Sequence, residues 1–187
     1  MNKIHDNLID SLNRINFIFK NQGIYTECVK DQNSFSIFGE NFGPFEKGKK
    51  YKLKLFLALP FIENNILKVA SSEKCDHVDV QRYAIAERDN QRLVKQDTEY
   101  FLNKIKEFQF FTQEEVKAGI KPKADLDRFY SYLSSTIDGR LLKLLRLART
   151  RLSLDDEKRL TNSEKILFNF IHEHIGTWRK FFLGANQ

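Results

Sequence analysis

Cysteine is scarce in this chain of 187 residues: Cys28 and Cys75 are the only two, and they form no CxxC pair. That argues against a disulfide-stapled scaffold and makes a reducing compartment the expectation. Long apolar runs are missing as well. None approaches the ~20 residues a membrane-spanning helix needs. Polar residues interrupt every apolar position between Asn2 and Arg14, which is unlike a secretory leader. The pattern therefore predicts a soluble, intracellular protein. Low-complexity tracts and internal repeats are also absent, so solenoids and disordered linkers are not expected.

The chemistry of catalysis is just as thin. His172-Glu173-His174 places two histidines two residues apart, on separate faces of a helix, whereas a helical zinc motif needs them four apart on one face. Cys75-Asp76-His77 offers two ligands where a closed zinc site takes four. Cys28 sits in an apparent strand, where a small buried hydrophobe is the better reading. Gly39, Gly43 and Gly48 lack the strand-to-helix context and the GK[ST] ending of a phosphate loop, and read as turn residues. No serine stands in a nucleophile elbow. The acidic pairs Glu114-Glu115 and Asp155-Asp156 fall in polar loops or helix starts, where the helix dipole explains them. The expectation is a protein without catalytic residues, metal or cofactor.

What the chain does have is phenylalanine. There are 17, in a composition that is 41% hydrophobic and 30% charged with a formal charge of +6. This supports a packed, aromatic-rich core and a mild preference for acidic partners. Short β-branched and aromatic segments predict strands at Ile15–Phe19, Ile24–Val29 and Ser34–Phe38, after a first helix over residues 2–13 with Ile4, Leu8, Ile9 and Leu12 on one side. Tyr51-Lys52-Leu53-Lys54-Leu55 alternates, which turns its lysines to solvent. Phe56–Asn64 reads as a short helix weakened by Pro60, and Ile66–Val69 as a closing strand. Gly43, Pro44, Phe45, Leu53, Leu55, Phe56 and Leu59 are the expected core motif of this front part.

Beyond Ser71-Ser72 the periodicity becomes helical. Asp79 is a plausible N-cap for a helix through Arg92, and Tyr100, Phe101, Ile105 and Phe108 share one face of the next. Residues 111–122 read as a polar loop with room for one helical turn. A long helix is expected over 123–152, striped by Leu126, Tyr130, Leu133, Ile137, Leu141, Leu144, Leu145, Ala148 and Leu152, with Asp138-Gly139 as its weak point. Thr161-Asn162-Ser163-Glu164 is a capping box that opens a last helix. The fold class is therefore α+β: residues 1–72 a small β-rich domain with one short helix, and 73–187 an all-α helical bundle.

Leu133, Ile137, Leu141, Leu144 and Leu145 are expected to divide between the bundle core and a subunit interface, with Trp178 and Phe182 capping the bundle. Arg140, Lys143, Arg146 and Arg149 recur every three residues as a basic band. Solvated surface and a contact for DNA or an acidic partner are equally open readings of that band. Lys47, Lys49, Lys50, Lys52 and Lys54 form a second cluster, which edge-strand protection also explains. Neither cluster shows the interleaved aromatics of a single-strand groove.

On these residues the chain resembles a subunit of the GINS complex, the replication factor that accompanies the MCM helicase. The resemblance is to the archaeal type in which the β domain comes first, related to the second and third Psf subunits. It rests on Gly43-Pro44-Phe45, Gly48, the Tyr51–Lys54 strand and Leu55-Phe56-Leu57-Ala58. Asp79 to Phe108, Arg140 to Ala148 and Leu160 through Trp178-Arg179 then follow in the family's order. Lys54 stands in the usual proline place and Phe56 in the usual tryptophan place. The resemblance implies a non-catalytic scaffold that assembles with a second subunit type as a tetramer. It would link MCM to a RecJ-like or Cdc-type partner at archaeal replication forks, with DNA touched weakly or indirectly. The competing reading is a stand-alone basic nucleic-acid-binding protein.

Overall fold

The computed structural model describes residues 2–37, 39–73 and 75–184, with the side chains of residues 2–6, 37 and 40 left aside. The chain is α+β, a small β-sheet region followed by a mostly helical part, and it divides into two compact units, Asn16–Lys74 and Met1–Ile15 with Cys75–Gln187. No helix among the described residues is long and apolar enough to cross a membrane.

The first helix, α1, runs from Asn2 to Lys20 and crosses the division between the units, so the expected strand at Ile15–Phe19 is helical instead. Ile15 and Phe19 are buried one helical turn apart, while Phe17 and Ile18 between them are exposed. That is the spacing of a helix face. The β-branched and aromatic composition had masked it. The direction of Ile4 lies outside the described side chains.

In the smaller unit, β1 (Gly23–Cys28), β4 (Lys50–Lys54) and β5 (Leu67–Val69) form an antiparallel sheet in the order β4-β1-β5. β2 (Phe35–Ile37) and β3 (Glu40–Phe42) make a separate hairpin. Of the expected Ser34–Phe38 strand, Phe38 lies outside the described residues. Ile24, Thr26 and Cys28 alternate inward along β1 and pair across to Leu53, Tyr51 and Leu67. Their core gathers Cys28, Phe45 and Leu67 with Phe35, Phe42, Tyr51, Leu53, Phe61, Ile62 and Ile66. Phe45 sits at its centre, edge-on to Tyr51 at 4.9 Å and to Phe61 at 5.4 Å. Gly43 has φ +88°, and a Cβ there would come within 3.3 Å of the Ser34 Cα, so the turn that delivers Phe45 needs glycine.

The short helix α2 (Leu55–Glu63) holds Pro60 within it, beyond the first turn. In nine residues proline removes a single ladder bond, the one its missing N–H would have donated to the Phe56 carbonyl, while the Pro60 carbonyl accepts from both the backbone and the side chain of Asn64. Leu55 and Ala58 turn inward. Phe56, expected in the core, is 42% exposed. It lies a third of a turn from Leu55, and Phe61 supplies the inner aromatic ring instead.

The helical unit contains α3 (His77–Asp89), α4 (Phe101–Lys117), α5 (Lys123–Leu147), the short α6 (Leu154–Glu157) and α7 (Asn162–Leu183). Asp76, not Asp79, caps α3: its side chain accepts from the Val78 and Asp79 amides, and Asp79 reaches back to the Asp76 amide. Helix α4 extends into the expected loop as far as Lys117 and stops in a Schellman motif. The Ile120 amide donates to the Glu115 carbonyl and the Gly119 amide to that of Val116, with Gly119 at φ +71°. Helix α5 passes Asp138-Gly139 unbroken and ends at Leu147, short of Leu152. It packs on α3, α4 and α7. One core cluster joins Val80, Phe101, Ile105 and Phe129, and a second joins Leu93, Leu144, Ala148, Leu160 and Phe168.

Candidate functional site

Helix α5 has two apolar sides. Phe129, Thr136, Arg140, Leu144 and Ala148 form the buried stripe, with Leu133 half-buried beside it. Ile137, Leu141 and Leu145 run along the helix next to that stripe at exposures of 45%, 36% and 41%. Steps of four place these three in one row, and Tyr130 continues it towards the N-terminus. The five expected residues thus split, with Leu144 and Leu133 packed inside and Ile137, Leu141 and Leu145 facing outward. The single stripe read from sequence merged two faces, because leucine pairs such as Leu144-Leu145 belong to both.

The basic band is corrected more sharply. Arg140 is 1% exposed and binds inside the bundle, so it is not a contact for DNA or a partner. Its Nε donates to Glu164 Oε1 at 2.6 Å and its Nη2 to Glu164 Oε2 at 2.8 Å. Its Nη1 donates to Glu87 Oε2 at 2.8 Å and to the Val94 carbonyl at 2.9 Å, and Nη2 also reaches the Arg159 carbonyl at 3.0 Å. All five guanidinium donors are engaged. Burial disfavours the charge, yet the hydrogen bonds and charges of Glu164 and Glu87 outweigh it and raise the Arg140 pKa above its ordinary value.

Lys143 joins the same cluster, donating to Glu87 Oε1 at 2.6 Å and to the Glu87 and Arg92 carbonyls. Two cations therefore face two carboxylates, and Glu164 is held further by the Thr161 amide and hydroxyl of the α7 capping box. Arg146 and Arg149 remain exposed. A step of three residues turns the helix by about 300°, so four such residues drift from the buried side to solvent. The cluster ties α3, α5, α7 and the loop after α3 into one body.

The end of α7 carries a second outward apolar group. Trp178, Phe181, Phe182 and Leu183 are all exposed, with Trp178 and Phe182 rings 4.9 Å apart and Phe181 and Phe182 5.0 Å apart. Trp178 and Phe182 therefore do not cap the bundle within this chain. They sit beyond the last turn that packs on Phe168. Of the two histidines, His172 stacks on Phe168 and pairs Nδ1 with the Ala148 carbonyl at 2.9 Å, while His174 Nδ1 lies 2.6 Å from the Phe170 carbonyl.

Among the described residues no three metal-ligating side chains gather. The Cys75 thiol is pushed up to about 12, first by burial and then by the nearby Asp79 carboxylate. At pH 8 it then carries about a thousandfold fewer thiolates than an unperturbed cysteine. Iodoacetamide labelling followed by intact mass should show Cys75 alkylated far more slowly in the native chain than in urea. Equal rates would contradict that environment.

In the smaller unit Gly43, Pro44, Phe45, Leu53, Leu55 and Leu59 take the expected places around the turn, strand and helix, with Phe45 and Leu55 buried and Leu53 and Leu59 half-buried. Lys50, Lys52 and Lys54 project from β4, an edge strand of the sheet, and Lys49 pairs with Glu46 at 2.7 Å. Sequence reading missed that Tyr25, from the neighbouring strand, stands exposed among these lysines. The alternation of β1 holds the signal, since Ile24 and Thr26 turn inward.

No protein-family model matches the chain, and no curated protein matches it.

Proposed function

We propose that this protein is a non-catalytic assembly subunit of the GINS type, a helical body that joins a second subunit type in a tetramer. In that role it links the MCM helicase to a RecJ-like or Cdc-type partner at the replication fork. The observation that carries the reading is the outward row Ile137-Leu141-Leu145 on a helix whose adjacent stripe, about 100° round, already closes the core. A helix apolar on two sides fits a body with neighbours on both. Such a row, with the Trp178–Leu183 group as a second aromatic anchor, has the make-up of an interface core. The β-then-α order and the Gly43-Pro44-Phe45 turn support the same family.

Charge placed in the row tests it. Ile137→Glu, Leu141→Glu and Leu145→Glu combined should leave the helical circular dichroism unchanged, because all three side chains face solvent. The tagged variant, purified from its own cells at moderate salt, should lose the second helical subunit together with MCM or the RecJ-like protein, all of which the native chain retains. Equal recovery by the variant, or recovery of neither by the native chain, would overturn the reading.

A further inference from the structure

We infer that the open face of the β4-β1-β5 sheet binds single-stranded nucleic acid, with Tyr25 and Phe56 stacking on bases and Lys50, Lys52, Lys54 and Lys68 holding phosphates. The antiparallel register places these groups together. Tyr25 lies opposite Lys52, Gly23 opposite Lys54, and Glu27 opposite both Lys50 and Lys68. Paired residues point to the same side of a sheet, and this side is the one turned from the Cys28–Phe45–Leu67 core. Phe56 lies just beyond the end of β4, in the first turn of α2, beside Lys54.

Two exposed rings set this surface apart from a merely protected edge. Lysines on β4 would suffice to blunt that edge, but Tyr25 belongs to the central strand, which has no free edge, and it is 46% exposed. Phe56 is exposed to a similar degree. Each ring carries an ammonium beside it: Lys52 Nζ lies 5.4 Å from the Tyr25 centroid and Lys54 Nζ 5.9 Å from that of Phe56. Gly23 makes the first of these arrangements workable, because a Cβ there would come within 2.9 Å of Lys52 Cε. The lysine stem crosses the strand where the glycine leaves room.

Charge selects the ligand. The one carboxylate on this face, Glu27, is engaged by Lys68 at 3.0 Å, and neither residue opposite Lys52 and Lys54 is acidic. Lys50, Lys52 and Lys54 recur at about 7 Å along the strand, a spacing comparable to that of phosphates along an extended single strand. An ammonium that swings from a ring to a phosphate gains a charge-assisted bond and leaves the ring free for a base. A duplex hides its bases and cannot use the rings. The inference concerns the smaller unit alone and does not depend on the assembly row of α5.

The test is fluorescence anisotropy of labelled oligothymidylate and oligouridylate on the full chain, from low to moderate salt. Both single strands should bind at low salt, and a duplex of equal length more weakly. Tyr25→Ala and Phe56→Ala should each weaken binding about tenfold, while Tyr25→Phe keeps the ring and the affinity. Lys52→Gln should reduce the slope of log affinity against log salt by about 0.7. Charge reversal at Arg146 and Arg149 should leave both strands bound as before. No binding at low salt, equal affinity after Tyr25→Ala with Phe56→Ala, or a duplex bound as tightly would each overturn the inference.

Discussion

Arg140→Ala is expected to destabilise the helical unit by about 3–5 kcal/mol, because it leaves buried carboxylates without their cation. Glu164 keeps its bonds from Thr161, and Glu87 keeps Lys143, but together they lose three charge-assisted bonds. Two of the lost donors also served the Val94 and Arg159 carbonyls, so the loops before α4 and α7 loosen with them. Urea unfolding followed by far-ultraviolet circular dichroism reads the effect as a large fall in midpoint. Arg146→Ala, six residues further along the same helix, should change stability by no more than about 0.5 kcal/mol. If the two substitutions cost the same, the cluster is not what fixes α3, α5 and α7.

Phe45→Ala should cost about as much in the other unit, about 3–5 kcal/mol, as for other buried phenylalanines. Its ring touches Tyr51, Phe61 and Phe35, and its backbone exchanges a reciprocal pair of hydrogen bonds with Gln32. Removing the ring opens a cavity between the sheet and α2 that neighbours held by their own strands cannot close. Hydrogen exchange should localise the loss. Peptides spanning β1, β4 and β5 should lose protection while those from α5 keep theirs. Uniform loss across both units would show that they unfold as one.

Where local pattern and tertiary demand agree, the sequence was legible. The β4 lysines alternate, Gly43-Pro44 and Gly48 mark turns, and Thr161 with Glu164 announces α7; all three appear where expected. Errors arose where composition competed with period. Ile15 to Phe19 is rich in strand formers, yet its buried pair lies four residues apart and the segment is helical. The continuation of α4 was lost in the polar run after Phe111, although Gly119 stood at its end as a stop signal.

The candidate site was harder to read, for a physical reason. A charged residue in a helical stripe reads as solvated, because sequence does not show which carboxylates fold back onto it. Arg140 meets Glu87 and Glu164 only after α3, α5 and α7 have packed. The same limit hid Tyr25 among the lysines, since their adjacency is a matter of strand register. It also concealed the outward turn of Trp178 and Phe182, whose burial is expected to come from neighbouring chains.

The assembly claim is tested most directly by the native mass of the tagged chain recovered from its own cells at moderate salt. The account predicts a four-chain particle that contains a second helical subunit and falls apart when Leu141→Glu and Leu145→Glu are introduced together. A single chain that stays monomeric at high concentration, with its Ile137 row and Trp178 group still open to solvent, would contradict it.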